Sequence, residues 1–318
     1  MKLAPIQGIF TPNLTPVDSK GEIDESSLRK YIDWLIDQGV DGLYPNGSTG
    51  EFVRFTPAER RRIIQIVMDA AAGRVPVLAG AAEANVRETI NACNTYDDLG
   101  ARAVAIVAPF YFPLGSDALR QHYAEIARNV SIGITLYNIP AFASPISVDV
   151  VASLANDHEN IIGIKDSSGD VVHMMRMIAE VRPFRPDFVF LTGWDAALVP
   201  MLIAGANGGT NATSCVLPEL TAAIYRSFHG GNLKEAMRLQ YLLLPLFDEM
   251  VGLAEFPEGF RAGTRCRGLD LGVGRIPVEE SHRETTQRTQ DRIQQHIETA
   301  LRELNHSDDS TASGASNK

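Results

Sequence analysis

From residue 5 to about 215 the chain alternates short apolar runs with longer amphipathic ones. The short runs are Gly8–Leu14, Gly42–Asn46, Val75–Gly80, Ala103–Pro109, Gly133–Ile139, Ile161–Lys165, Phe188–Thr192 and Gly208–Ala212. Each is nearly continuous in apolar residues rather than alternating, the pattern of a strand buried on both faces of a parallel sheet. Between them lie helical stretches with recognisable starts. Asp24 precedes a helix to about Gln38. Thr56-Pro57-Ala58-Glu59 places an N-cap, an N1 proline and a capping-box glutamate in succession. Asn85, Ser116, Ser147, Asp170 and Asp195 open the others, the last ending at Gly205. Eight strand-then-helix units predict an α/β fold, a (β/α)8 TIM barrel. A doubly wound sheet would need a Gly-rich phosphate loop after its first strand. Thr11-Pro12-Asn13-Leu14-Thr15-Pro16 stands there instead.

After residue 217 the strands stop. Pro218–Phe228, Asn232–Val251, Pro257–Arg267 and Pro277–Leu304 read as helices, the second with Ala236, Met237, Leu239, Leu242 and Leu243 at helical spacing. The expected organisation is a barrel core over 1–217 closed by a following helix, C-terminal helices over 218–305, and a polar tail over 306–318 without periodicity, which reads as disordered.

Composition narrows the class. The chain has 318 residues, 45% hydrophobic, and a net charge of −10 spread along its length, which argues against a nucleic-acid partner. No apolar run reaches the length of a membrane span, and the N-terminus lacks signal-peptide architecture. Cys93, Cys215 and Cys266 are widely spaced and form no ligand pattern, so they read as reduced thiols of a cytoplasmic protein. The histidines show no metal-ligand spacing either, so neither a metal nor another cofactor is expected.

In a barrel the strand C-termini converge on one face, which hosts the site. Lys165 ends the run Ile161-Ile162-Gly163-Ile164, directly before small polar turn residues. A lysine so placed is desolvated unless it is paired or its pKa falls, and a lysine with a lowered pKa is a nucleophile for a keto group. The plainer reading is a lysine that snorkels out at the strand end. Asn46-Gly47-Ser48-Thr49-Gly50-Glu51 combines glycines, which admit a ligand close to the backbone, with two hydroxyls and consecutive N–H groups. That is either a small anion nest or a plain turn, and with no lysine following it suits a carboxylate better than a polyphosphate. Tyr137 ends the fifth strand, beside the sixth, where it is either wall or an acid/base group. The run Phe110-Tyr111-Phe112 reads as loop or subunit packing, with Tyr111 able to extend a hydroxyl chain from Thr49 to Tyr137. Asp195 is either a helix N-cap or an acceptor for a substrate hydroxyl.

Gly47-Ser48-Thr49-Gly50-Glu51, Tyr137-Asn138-Ile139-Pro140 and Gly163-Ile164-Lys165-Asp166, in that order, resemble the dihydrodipicolinate synthase / N-acetylneuraminate lyase superfamily. The resemblance runs from about Gly8 to Pro277 and includes Gly268-Leu269-Asp270-Leu271-Gly272. It implies a class I lyase, usually a homotetramer. Lys165 would form the Schiff base and Tyr137 would shuttle protons. Ser48 and Thr49 would hold the carboxylate of a 2-oxo acid, with Gly50 beside them, and Tyr111 would be a relay partner. Two departures shape the expected substrate. Phe142 stands where dihydrodipicolinate synthases carry an arginine. Ala196 and Ala212 stand where sialic acid lyases carry polar partners, although Gly193 and Asp195 remain. The expectation is an aldolase cleaving a 2-keto-3-deoxy sugar acid to pyruvate and an aldehyde. The alternatives are dehydration of such an acid, N-acetylneuraminate cleavage, dihydrodipicolinate synthesis, or a non-catalytic barrel that binds a 2-oxo acid.

Overall fold

The computed structural model describes residues 6–252, 255–276 and 280–314. All eight expected strands form: β1 (Gly8–Thr11), β2 (Gly42–Leu43), β3 (Leu78–Gly80), β4 (Ala103–Val107), β5 (Ile134–Asn138), β6 (Ile161–Asp166), β7 (Val189–Thr192) and β8 (Gly208–Gly209). They pair in parallel in the order β2-β1-β8-β7-β6-β5-β4-β3, and a parallel bridge from Leu43 to Val77 joins the two ends into a barrel. Except for β6, which runs one residue past its apolar run to Asp166, the strands are shorter than the runs, because most of the runs continue past the last ladder bond into the loops of the C-terminal face. β8 is only two residues long. A Cβ at Gly208 would lie 2.0 Å from the carbonyl oxygen of Gly8, so the close approach of β1 and β8 requires glycine there.

The helices are α1 (Glu25–Asp37), α2 (Pro57–Ala71), α3 (Val86–Asp98), α4 (Ser116–Arg128), α5 (Val148–Asp157), α6 (Val171–Val181), α7 (Leu198–Ala204), α8 (Pro218–His229), α9 (Leu233–Gly252), α10 (Glu258–Cys266) and α11 (Glu280–Gly314). Their starts follow local chemistry. Asp24 accepts from the Ser27 N–H, Asn85 from Arg87 and Glu88, and Asp170 from His173. Thr56 and Glu59 close a reciprocal capping box with Pro57 behind it. Asp195 differs. A 3-10 turn, Asp195–Ala197, precedes α7, and Asp195 caps neither element.

The core has three parts. Phe10, Tyr44, Leu78, Ala103, Ala105 and Leu191 fill the barrel interior. A second cluster lies between the sheet and α3 to α6, and a third gathers α1, α2 and α7 to α11. The C-terminal helices therefore pack onto the barrel rather than forming a separate body. α11 keeps a helical backbone to Gly314, past Leu304 and into the segment expected as tail. A helix already nucleated adds one hydrogen bond per residue as it extends. Residues 277–279 and 315–318, parts of the expected last helix and tail, lie outside the described residues.

Candidate active site

Side chains alternate along a strand, so two neighbouring strands in register present matching residues to one face. Tyr137 and Lys165 are ladder partners, as are Thr135 and Gly163 two residues below. Both long side chains point into the top of the barrel. Lys165 is 4% exposed, and its Nζ lies 4.1 Å from the centre of the Tyr137 ring and 4.4 Å from that of Tyr44. Burial pushes the Lys165 ammonium below the usual lysine range, and Tyr137 and Asp195 restore only part of the loss. Lys165 therefore does not snorkel. A buried amine of lowered pKa is nucleophilic at lower pH than an exposed one.

Room for this lysine depends on Gly193. A Cβ there would stand 2.6 Å from Lys165 Cε and 2.0 Å from Ser167 Oγ. The next residues along β5 and β6 face the opposite side and hold the two strand ends together. Asn138 Nδ2 donates to Asp166 Oδ2 at 3.3 Å, and the His173 imidazole bonds the same oxygen through Nδ1 at 2.8 Å. Burial opposes the Asp166 charge, but hydrogen bonds from His173 and Ser168 hold its carboxyl below the usual range.

The loop after β2 carries the hydroxyls. Ser48 Oγ lies 3.3 Å from Tyr137 Oη, and Thr49, nearly buried, lines the cavity that reaches Lys165. The hydroxyl in contact with Tyr137 is thus that of Ser48, where the sequence suggested a chain through Thr49. The loop is anchored from behind. Glu51, at φ +56°, is buried and paired with the buried Arg261 of α10, which also donates to the carbonyls of Thr15 and Leu271. The tight approach of Gly50 to the Asn13 carbonyl leaves little room for a side chain.

One expected contributor lies away from the cavity, and another has backbone partners of its own. Tyr111 is 82% exposed with its ring edge-on to Phe112 and does not reach Tyr137, because the β4 loop turns outward after Pro109. Asp195 is buried, and its two carboxylate oxygens accept the N–H groups of Ala212 (3.0 Å) and Thr213 (2.6 Å). It braces the loop after β8 while also lining the cavity beside Lys165. Phe142 borders the same cavity.

The cavity holds about 120 Å³ and is small beside ordinary ligand pockets. Sequence reasoning missed Tyr44 and Thr210 on its periphery and floor. Tyr44 is fully buried, and burial raises its phenol well above the usual range. The Thr210 hydroxyl is buried without a protein partner. Strand parity was the available signal for both: Tyr44 lies two residues beyond Gly42, and Thr210 two beyond Gly208. Among the described residues, no group of three or more His, Cys, Asp or Glu side chains could hold a metal ion. No described helix is long and apolar enough to cross a membrane.

A closed parallel barrel with a buried lysine and a facing tyrosine at its C-terminal mouth defines a class of barrel enzyme. Comparison with known proteins makes the class specific. Residues 5–296 match the model of the dihydrodipicolinate synthetase family. A 4-hydroxy-tetrahydrodipicolinate synthase of Methanopyrus kandleri is 34% identical over 88% of this chain and 93% of its own length. An uncharacterized DapA-like lyase of Thermococcus onnurineus is 36% identical over 84% of this chain and 90% of its own. Among solved structures, YagE, a prophage protein of the dihydrodipicolinic acid synthase family from E. coli K12 in complex with pyruvate, superposes with a TM-score of 0.86. It is 29% identical, and the match covers 92% of this chain and 99% of that one. The chain belongs to the dihydrodipicolinate synthetase family, whose members are lyases that form a Schiff base with pyruvate.

Proposed function

We propose that the protein is a class I lyase that cleaves a 4-hydroxy-2-oxo acid to pyruvate and an aldehyde through a Schiff base on Lys165. The observation that carries this reading is the buried Lys165 amine beside Tyr137, at the end of a cavity lined by Thr49.

The neutral amine adds to C2 of the substrate; the C2 oxygen takes one proton from the amine and one from the Tyr137 phenol and leaves as water, giving an iminium beside a Tyr137 phenolate. The phenolate so formed, with Ser48 as its hydrogen-bond neighbour, takes the proton of the C4 hydroxyl. The C3–C4 bond breaks, its electron pair runs into the iminium to form an enamine, and the aldehyde departs. Tyr137 returns its proton to C3. Water then adds at C2, releases pyruvate and the free neutral lysine, and returns the remaining proton to Tyr137. Ser48, Thr49 and the N–H groups of their loop receive the C1 carboxylate.

The 2-keto-3-deoxy sugar acids, 2-keto-3-deoxygluconate among them, carry the keto, carboxylate and C4 hydroxyl that this scheme uses. Condensation of pyruvate with an aldehyde is the same scheme run backwards. The exposed Phe110-Tyr111-Phe112 run supports a homo-oligomer, a tetramer by resemblance, in which Tyr111 would serve a neighbouring copy's relay rather than its own. Pyruvate release from 2-keto-3-deoxy acids tests the reading. The wild-type protein should release it and Lys165→Arg should not, whereas equal release by both removes Lys165 from the chemistry.

A further inference from the structure

The cavity has two chemically different ends. At the inner end stand Thr49, Tyr137, Lys165, Ser167 and Thr210, all buried. At the mouth stand Phe142, Trp194, Phe247, Val251 and Phe256. Exposure marks the outer side: Phe142 is 56% exposed and Trp194 and Val251 are 39% each, with Phe247, 5% exposed, packed beneath Trp194. The mouth residues come from three separate parts of the chain but form one surface. The rings of Phe142 and Phe256 lie 6.3 Å apart, and Trp194 meets Phe247 edge-on at 5.5 Å.

Among the described residues, the only charged side chains that line this cavity are Lys165 and Asp195. The first is the nucleophile and the second is engaged by the Ala212 and Thr213 backbone. A hydroxyl or carboxylate carried past C4 would leave water and meet aromatic carbon, losing hydrogen bonds without replacement. An alkyl or aryl group there would leave water at a gain and cover apolar surface that is otherwise exposed.

We infer that the aldehyde half of the substrate is apolar beyond its carbonyl carbon, so that the preferred substrate is a 4-hydroxy-2-oxo acid with an aryl or branched alkyl group at C4. This inference rests on the Schiff-base reading and narrows it, placing polyhydroxylated sugar acids among the slower substrates. The ring pairs Phe142–Phe256 and Trp194–Phe247 set the selectivity.

The test uses the purified full chain with a matched panel: 4-hydroxy-4-phenyl-2-oxobutanoate, its isopropyl counterpart, 2-keto-3-deoxygluconate and N-acetylneuraminate, each assayed for pyruvate release. An apolar site discriminates by about 10- to 200-fold per group, so kcat/KM for the aryl or branched compound should exceed that for the sugar acids by about tenfold or more. Phe142→Ser, which places a hydroxyl in the collar, should narrow that ratio by raising KM for the apolar compounds. Equal or higher kcat/KM for a sugar acid overturns the inference, as does no turnover of either apolar compound by protein that forms a borohydride-trapped pyruvate adduct. Absence of that adduct would instead remove the Schiff-base reading beneath it, so the two failures are distinct.

Discussion

Tyr137 and Lys165 are register partners in the β5–β6 ladder, and the amine of one lies 4.1 Å from the ring centre of the other. Their proximity is therefore a property of the sheet and not of a loop. The ladder bonds on either side set the spacing, and the outward-facing bonds of Asn138, Asp166 and His173 lock the same two strand ends. A catalytic pair built on regular structure is held more tightly than one built on loops.

Tyr137→Phe retains the ring that packs on Lys165 and Tyr44 and removes only the phenolic proton carrier. The expected result is a fall in kcat of about 10²- to 10⁴-fold, with little change in pyruvate binding. Steady-state kinetics on a turned-over 2-oxo acid provide the check. A kcat near wild type would make Tyr137 a wall residue.

Gly193→Ala tests how closely the lysine is fitted. The added methyl would overlap Lys165 Cε and Ser167 Oγ, so the amine must move. A displacement of about 1 Å can cost about 10²-fold in rate, and pyruvate adduct formation should slow by that order. Circular dichroism should show the barrel intact. An adduct rate within twofold of wild type would mean that the lysine does not need the space seen here.

The eight strands, the helices between them and the buried lysine were legible in the sequence, because each depends on a local pattern: a continuous apolar run, a cap, or a lone cation ending a strand. What was not legible depends on contacts distant in sequence. Asp195 has the sequence look of a cap or a ligand group, and its use was decided by the N–H groups of Ala212 and Thr213 on the next loop. The expectation of a hydroxylated substrate tail leaned on that carboxylate. The aromatic mouth combines Phe142 with Phe247 and Phe256, from a C-terminal segment that periodicity alone places only as helices. Likewise nothing local links Glu51 to Arg261, although their buried pair fixes the loop that carries Ser48 and Thr49.

The His173–Asp166 bond gives a pH signature in stability. Asp166 raises the His173 pKa above its ordinary 6.5. A raised pKa stabilises the fold fully below about pH 6.5, and the contribution disappears as pH rises through the folded-state value. His173→Ala should therefore cost about 2 kcal/mol at pH 5.5, the range of a charge-assisted hydrogen bond, and distinctly less at pH 9. Denaturant melts at the two pH values measure the difference, and an equal loss at both would contradict it.

Glu59 shows the opposite sign. Hydrogen bonds from Arg275 lower its carboxyl from 4.5 to about 2, against a smaller cost of burial. Its contribution is present above about pH 4.5 and lost as pH falls toward 2. Glu59→Gln keeps a capping-box residue at the start of α2 and removes the charge. It should cost up to about 1 kcal/mol at neutral pH, the range for a solvent-screened pair, and only a small fraction of that near pH 2. Thermal melts across that window decide, and a loss that persists undiminished at pH 2 would place the effect in packing.

The most direct test of the Schiff-base account is to incubate the wild-type protein with pyruvate, reduce with borohydride, digest, and locate the added mass. Reduction converts an iminium into a stable secondary amine, so one pyruvyl increment should appear on the peptide containing Lys165. It should form at lower pH than an ordinary lysine allows, since burial depresses this amine. An unmodified Lys165 peptide, or an increment on any other lysine, would contradict the account.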